Sequence, residues 1–230
     1  MPTRPAGLLH PWGATSCRKA APLTNLLNAG HAQALDGDTA NPWRHDTFNG
    51  HSDGKKYGVL CDLYRRVVHP PVHVMPPWLE FVTARMRATK PPPWLMPHHA
   101  WPLQNFAPNE CNAIDYRRAT GCSLEPHCDD RHMSGDVICN LSLAGDATMT
   151  YEREKGTTHS VRVELPRRSL QVQANGVRYN YMHGIANDDL HSARRVSITF
   201  RETFATKETA EVPGRALRGN QKALALTLLG

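Results

Sequence analysis

The chain has 230 residues, 40% of them hydrophobic, which fits one large domain with a buried core and is short for two domains. No apolar run approaches the roughly 18 residues that cross a bilayer, so we expect no membrane partner. The formal charge of +6 suits an acidic partner, although scattered solvated basic pairs would produce the same sum. The six cysteines include no Cys-x-x-Cys pair, which excludes a zinc knuckle and a thioredoxin-like motif.

The N-terminal part, residues 1–43, has little regular pattern apart from leucines and alanines in 23–35 that predict one short helix. Residues 41–57 are polar and rich in turn formers, and residues 58–69 predict one short strand. We therefore expect 1–43 to be an irregular or diverged N-terminal segment.

An amphipathic helix is predicted to begin at Pro77. Trp78, Phe81 and Met86 lie at helical spacing behind this proline, which is a favoured residue at a helix start. We expect all three side chains to pack in the core, and we expect the helix to end before Pro91.

From Asn109 onward, short apolar stretches alternate with turn formers, which is the pattern of an all-β domain. Eight strands are predicted near 112–117, 122–128, 136–144, 146–153, 159–165, 169–174, 179–184 and 194–202. Eight short strands suit a double-sheet jelly roll. The predicted fold is mostly β with flanking helices and a double-stranded β-helix (jelly-roll) core over residues 44–205, followed by a C-terminal extension over 206–230.

Two histidines and one aspartate are candidate metal ligands. In a strand, alternate side chains share a face, so His127 and Asp129 can reach one metal ion while Cys128 points away. His183 would come from a later strand. Two imidazoles and one carboxylate make the facial triad of non-haem Fe(II) oxygenases, which leaves open positions for a co-substrate and O2.

A second His-x-Asp triplet occurs at His51-Ser52-Asp53. It lies in a stretch rich in glycine and asparagine, so we expect a solvated turn there rather than a rigid strand. Only the triplet at residue 127 is followed by a further histidine and by spaced arginines.

The last predicted strand carries these arginines. Every second residue from Arg195 to Arg201, including Ser197, is polar and the residues between are apolar, which predicts one polar face and one core face. The two arginines lie about 20 Å apart at roughly 3.3 Å per residue, so their side chains would converge on one ligand from both ends. A five-carbon dicarboxylate fits that gap, with its distal carboxylate bound bidentately by one arginine. Two surface arginines are the alternative.

These motifs resemble the AlkB family of Fe(II)- and 2-oxoglutarate-dependent dioxygenases, and within it most closely the fourth AlkB homologue. The resemblance is strong over about 105–205 and looser over about 40–104. The family's cysteine-rich leader is not matched, which predicts a truncated or a diverged N-terminus. The resemblance rests on Cys111-Asn112-Ala-Ile-Asp115-Tyr116, Pro126-His127-Cys-Asp129-Asp130, His183-Gly-Ile and Ala193-Arg194-Arg195-Val-Ser-Ile-Thr-Phe-Arg201-Glu202.

The resemblance implies an Fe(II) site formed by His127, Asp129 and His183, which would also be the catalytic centre. For the co-substrate it implies a second set of residues. Arg195 would bind the distal carboxylate of 2-oxoglutarate, Arg201 would lie near its other end, and Tyr116 and Ser197 would be its neighbours. Asn112 lies four residues before Tyr116, unlike the family's Asn-x-Tyr, so no role is predicted for it.

The implied reaction is oxidative N-demethylation of a methylated macromolecule, with O2 and 2-oxoglutarate consumed and succinate, CO2 and formaldehyde released. Methylated DNA or RNA and a methyl-lysine protein both remain open as substrates. A flipped base would need aromatic partners and a cover, for which Trp43, Tyr57 and residues 49–58 are candidates.

A non-catalytic, cupin-like metal-binding jelly roll is the alternative to an enzyme. Loss of Arg195 or Arg201 would have favoured it, and both are present. Fe(II) chemistry and free thiols argue for a reducing compartment, so we expect the protein in the nucleus or cytoplasm. We also expect a monomer.

Overall fold

The computed structural model describes residues 30–48, 50–91, 101–154, 160–204 and 224–229. Within them the helices and strands have the following bounds in chain order: α1 Gly30–Gly37, β1 Arg44–Phe48, β2 Ser52–Gly58, β3 Leu60–Asp62, β4 Val67–His69, α2 Pro77–Arg87, β5 Glu110–Arg117, β6 Leu124–His127, β7 Ser134–Ala144, β8 Ala147–Arg153, β9 Ser160–Leu165, β10 Ser169–Ala174, α3 Asn175–Asn180, β11 Tyr181–Ile185, β12 Arg194–Thr203 and β13 Leu224–Leu229.

Two large sheets form the core of the domain. In the part of the chain that is described, one sheet has seven strands in the order β1-β2-β5-β12-β7-β10-β13, and the other has four in the order β6-β11-β8-β9. Strands β3 and β4 form a separate hairpin. The eight strands predicted from the sequence are β5 to β12, and the chain crosses repeatedly between the sheets along them. The predicted double-stranded β-helix is therefore confirmed.

The inner strands of the seven-stranded sheet are mostly buried on both faces. Leu79, Val82 and Met86 of α2 belong to one apolar cluster with Val196 and Ile198 of β12, so this face of the sheet is covered by helix. The opposite face of the same strands looks into the space between the two sheets. Alternation along β12 therefore divides core side chains from polar side chains inside the jelly roll.

The N-terminal third is more regular than its composition predicts. The polar stretch 41–57 contains the antiparallel hairpin β1–β2, and residues 58–69 contain a hairpin of two strands rather than one strand. The helix predicted at 23–35 lies largely outside the described residues, where α1 occupies 30–37. Phe81 was wrongly assigned to the core, since it is 52% exposed while Met86 is fully buried.

Two further secondary-structure elements were not predicted from the sequence. Residues 175–180 form α3, so the strand predicted from 179 begins at Tyr181. The C-terminal extension contributes β13, which pairs antiparallel with β10 at the edge of the seven-stranded sheet. Among the helices of the described residues, none has the length and apolar character that a membrane crossing requires.

Candidate active site

A cavity of about 270 Å³ lies between the two sheets. We call it the interior cavity. Its wall includes the polar face of β12, the inward-facing residues of β5 and the end of β6. The residues that line it include Phe48, Lys56, Glu110, Asn112, Tyr116, His127, Asp129, Asn140, His183, Arg195, Thr199 and Arg201.

The structure brings the three predicted ligands together in this cavity. One donor atom each from His127, Asp129 and His183 lies within 4.8 Å of the others. His183 on β11 stands directly opposite His127 on β6, and their ring centroids are 4.5 Å apart. The side-chain spacing is therefore short enough for one ion to contact all three residues.

Local features of β6 and β11 explain this arrangement. His127 Nδ1 lies 2.8 Å from the backbone oxygen of Glu125, which can only accept a hydrogen bond, so the proton belongs on Nδ1 and Nε2 remains available. Strand β6 ends at His127, so Asp129 lies in the following loop and not on the strand face that the alternation predicted. A Cβ atom at Gly184 would lie 2.9 Å from the backbone oxygen of Leu124, so glycine permits the close approach of the two strands.

Arg201 binds one oxygen of the Asp129 carboxylate. Its Nε and Nη2 donate to Asp129 Oδ1 at 3.0 and 2.5 Å, and its Nη1 lies 3.7 Å from Glu110 Oε1. Asp129 Oδ2 is buried, lies 3.5 Å from His183 Nε2 and has no hydrogen-bond partner among the described residues. One carboxylate oxygen is thus fully engaged and the other faces the histidines.

The electrostatics favour a bound cation. Burial raises the pKa of Asp129, but Arg201 and the two imidazoles outweigh it and hold the pKa well below its ordinary value. Burial lowers the pKa of His183 to about 4, against the opposing attraction of Asp129. At neutral pH, Asp129 is therefore ionised and His183 is neutral, the states in which each can bind a metal.

Arg195 occupies the other end of the cavity. Its Nη1 donates to Ser197 Oγ at 2.9 Å, and its Nη2 donates to Asn140 Oδ1 at 3.1 Å and Ser142 Oγ at 3.2 Å. The guanidinium lies 5.3 Å from the ring centroid of Tyr116. All of these neighbours are neutral, and no carboxylate of the described residues forms a salt bridge with this 1%-exposed cation.

The residues present fit both an Fe(II) ion and a dicarboxylate. The unpartnered Oδ2 of Asp129 and two histidines make a mixed nitrogen and oxygen donor set, which suits Fe(II). A buried guanidinium with only neutral partners is costly unless an anion reaches it, and a carboxylate supplies the matching bidentate geometry. Fold and site together define the class: a jelly-roll protein with an oxygenase-type metal site.

Several residues of this site were missed or misjudged from the sequence. Asn140 joins Arg195 to Thr199, since its Nδ2 donates to Thr199 Oγ1 at 2.9 Å. Asn112 lines the cavity although no role was predicted for it, because residues four apart on a strand share a face as residues two apart do. Polar residues two positions apart, Glu110 and Asn112 in β5 and Asn140 and Ser142 in β7, were the available signal.

The predicted aromatic partners lie elsewhere. Tyr57 is buried, with its hydroxyl donating to Asp38 Oδ2, and Trp43 donates its Nε1 hydrogen to Asp36. Neither lines the interior cavity, whereas Phe48 and Lys56 of the β1–β2 hairpin do. Strand β2 of this hairpin is mostly buried, which its turn-rich composition did not indicate.

The second His-x-Asp triplet lies outside the cavity. Asp53 belongs to strand β2, contrary to the expected turn, and its Oδ1 lies 2.6 Å from His45 Nδ1. His51 is exposed and pairs with Asp46. This triplet therefore has no third ligand within reach among the described residues.

Sequence and structure comparisons agree with the class. The chain belongs to the 2OG-Fe(II) oxygenase superfamily, whose pattern it matches over residues 26–201. The solved structure of OsALKBH1 superposes with a TM-score of 0.50 and 14% identity, covering 76% of this chain and 89% of that one, which supports the shared fold.

Two curated relatives illustrate the family. A protein named DNA N6-methyl adenine demethylase from Caenorhabditis elegans is 29% identical over 109 residues, covering 47% of this chain and 36% of the relative. Human alpha-ketoglutarate-dependent dioxygenase alkB homolog 4 is 26% identical over 132 residues, covering 45% of this chain and 43% of the relative. The matched segments thus span less than half the length of either relative.

Proposed function

We propose that this protein is an Fe(II)- and 2-oxoglutarate-dependent dioxygenase that removes N-methyl groups oxidatively from a methylated macromolecule, and that its substrate is a methylated base in nucleic acid. One observation carries the proposal. A two-histidine, one-carboxylate cluster and a buried arginine without an anionic partner line the same interior cavity. A metal-binding jelly roll without catalysis would need the cluster but not the uncompensated arginine.

Each residue has a separate task in this proposal. His127 Nε2, Asp129 Oδ2 and His183 hold the iron. Arg201 keeps Asp129 ionised and holds its other oxygen, so that one oxygen remains directed at the metal. Because Arg201 binds one oxygen of the carboxylate and the other is left for the metal, the orientation of the carboxylate is fixed before any substrate binds.

The co-substrate set lies around Arg195. Its guanidinium would receive the distal carboxylate of 2-oxoglutarate, and Ser197 holds the guanidinium in place through its hydroxyl. Tyr116 supports it from the ring face and lines the cavity beside it. Because the site is buried, these interactions act with little competition from water.

Bound Fe(II) supplies the oxidative chemistry, in which O2 and 2-oxoglutarate are consumed with the substrate and succinate, CO2, formaldehyde and the demethylated amine are released. One oxygen atom of O2 ends in succinate and the other in formaldehyde. The protein's residues contribute ligand geometry, co-substrate binding and exclusion of water.

The mouth of the cavity supports a nucleic-acid substrate over methyl-lysine. Lys56 Nζ lies 5.6 Å from the ring centroid of Phe48, and both residues line the cavity. An aromatic ring suits stacking with a base, and an exposed ammonium attracts phosphate but repels a methylammonium group. The β3–β4 hairpin borders the same cavity through Leu63, and its turn carries Tyr64, 93% exposed, beside Arg65. The name of the worm relative points to the same substrate class.

The test is succinate and formaldehyde release after O2 is admitted to the anaerobically Fe(II)-loaded protein. Parallel reactions contain an oligonucleotide with N6-methyladenine, the unmethylated oligonucleotide or a methyl-lysine peptide. We expect formaldehyde and succinate in equal amounts with the methylated oligonucleotide alone. Equal amounts with the peptide would replace the substrate class, and no succinate under any condition would reject the oxygenase in favour of a binding protein.

A further inference from the structure

Arg178 is a buried cation that the proposed reaction does not use. It lies on the short helix α3, between strands β10 and β11, five residues before His183. Only 2% of it is exposed, and it is among the largest fully buried side chains of the described residues. A buried arginine of this kind needs a structural or functional reason, because removing its charge from water is costly.

The guanidinium of Arg178 binds backbone oxygens in the loop after β6 and at the start of β7. It donates to the oxygens of Asp129 at 3.1 Å, Asp130 at 2.5 Å, Ser134 at 3.4 Å and Gly135 at 3.2 Å. The planar guanidinium offers five donors in a fixed arrangement, so one side chain can satisfy several carbonyl groups that β pairing leaves open. The four contacts join Asp129 and Asp130, in the loop after β6, to the first two residues of β7.

This loop begins at a proposed metal ligand. Asp129 is held at two points: Arg178 binds its backbone oxygen, and Arg201 binds Oδ1 of its side chain. With the backbone and one carboxylate oxygen both engaged, the remaining Oδ2 is left directed toward His183. The orientation of Oδ2 therefore depends on the path of the loop as well as on Arg201.

The next residue receives the same support. Asp130 Oδ1 accepts hydrogen bonds from the backbone N–H groups of His132 and Met133, at 2.9 and 2.7 Å, and closes the turn. Its other oxygen pairs with Arg66 of the β3–β4 hairpin. Arg178 thus stabilises, from inside the domain, the turn that follows Asp130. The same turn connects the metal site to the β3–β4 hairpin beside the cavity mouth.

We propose that Arg178 is a positioning residue for the metal site: by binding the carbonyl groups of residues 129, 130, 134 and 135, it sets the geometry of the loop between β6 and β7 and so directs Asp129 Oδ2 at the ion. The inference rests on the proposed function, since it assumes a metal at this triad. Arg178 itself contacts no ligand in this scheme. It acts through the backbone, as residues that support metal ligands commonly do.

The test compares Arg178→Met and Arg178→Lys with the wild-type protein and with Arg162→Met as a matched control. Arg162 is a surface arginine bound to Asp189, away from the cavity. Mn(II), a redox-silent stand-in for Fe(II), is titrated into each metal-free protein by calorimetry. The absorption spectrum of bound Co(II) then reports ligand geometry, and hydrogen exchange reports protection of the 129–135 amides.

We expect Arg178→Met to bind Mn(II) about 10- to 100-fold more weakly, with an altered Co(II) spectrum and faster exchange in 129–135. Arg178→Lys should be intermediate, because an ammonium reaches fewer carbonyl groups than a guanidinium. Arg162→Met should match the wild type in all three measurements. If Arg178→Met does not fold, the lysine variant decides by the same comparison.

Wild-type Mn(II) affinity and an unchanged Co(II) spectrum in folded Arg178 variants would overturn the inference. A lowered melting temperature with an unchanged spectrum would overturn it too, because that pattern describes a purely structural arginine. If the wild type itself bound no Mn(II), the proposed function would fail and the inference with it. Normal wild-type binding with unaffected variants would remove the inference alone.

Discussion

Arg195 and Arg201 lie on one face of β12, six positions apart, yet their surroundings differ in kind. Arg201, at the metal end of the interior cavity, is bound to the carboxylates of Asp129 and Glu110. Arg195, at the co-substrate end, is bound to a serine, an asparagine and a second serine. Carboxylates of the protein compensate the charge of Arg201, whereas no carboxylate of the described residues compensates that of Arg195.

The pKa shifts of the two arginines follow this difference. Burial lowers the pKa of both guanidinium groups, but Asp129 and Glu110 reverse the effect at Arg201, whose pKa is raised. At Arg195 the burial effect prevails, opposed only in part by Tyr116. The two arginines on this strand therefore differ in whether a carboxylate compensates their charge. Their spacing along the strand does not reveal this difference.

The largest expected effect is at the metal end. His127→Ala or Asp129→Ala should abolish Fe(II) binding and turnover while the fold is retained, because two remaining ligands bind the ion poorly. Metal content after anaerobic loading and circular dichroism measure the two properties. The matched controls His51→Ala and Asp53→Ala alter the other His-x-Asp triplet and should keep full metal content. Retained iron in the first pair of variants would contradict the ligand assignment.

The next prediction distinguishes the Arg195 end of the interior cavity from the metal end. Arg195→Ala should raise the 2-oxoglutarate concentration needed for half-maximal turnover by about 100-fold and leave metal content unchanged, because a buried charge-assisted pair is lost. Initial rates of succinate release over a range of 2-oxoglutarate concentrations provide the measurement. Arg117→Ala, a half-exposed arginine paired with Asp115, is the control. An unaltered requirement for 2-oxoglutarate would make Arg195 a structural residue.

A smaller effect is expected from changing Asn140, which accepts a hydrogen bond from Arg195. Asn140→Ala removes the acceptor of one guanidinium hydrogen bond, so KM for 2-oxoglutarate should rise about 5- to 10-fold. Asn140→Asp should raise KM further, since a carboxylate placed there would compete with the co-substrate for the guanidinium. Steady-state kinetics at saturating Fe(II) compare the two variants. A lower KM in the aspartate variant would show that Arg195 does not need an external anion.

The last prediction concerns pH and the metal-free protein. In the unfolded chain His183 gains its proton near its ordinary pKa of 6.5, whereas burial holds the folded-state pKa at about 4. Between these values only the unfolded state binds the proton, so lowering the pH from 6.5 to 4 should cost on the order of 3 kcal/mol of unfolding free energy.

Urea denaturation of the metal-free protein across that pH range measures this loss. His183→Gln should remove its share of the pH dependence, whereas Arg195→Ala should leave the slope as in the wild type. Equal slopes for wild type and His183→Gln would show that the imidazole titrates alike in both states.

Prediction from sequence succeeded where the pattern is local. The alternation along Arg195–Arg201 predicted a polar face and a core face, because side-chain direction in a strand has a period of two residues. The eight core strands were found for the same reason. It failed where pairing with a distant segment decides the structure: β2 pairs with β5, and β13 pairs with β10.

The amino-acid sequence by itself determined the fold class, the resemblance to the 2OG-Fe(II) oxygenases and a short set of chemically suitable residues. Tertiary structure alone decided which residues share the interior cavity and what each one faces. Asn140 and Arg178 act through contacts with residues 55 and 43 to 49 positions away, which no local pattern encodes. Burial and charge compensation arise only when strands from both sheets meet, so the difference between Arg195 and Arg201 belongs to the folded protein.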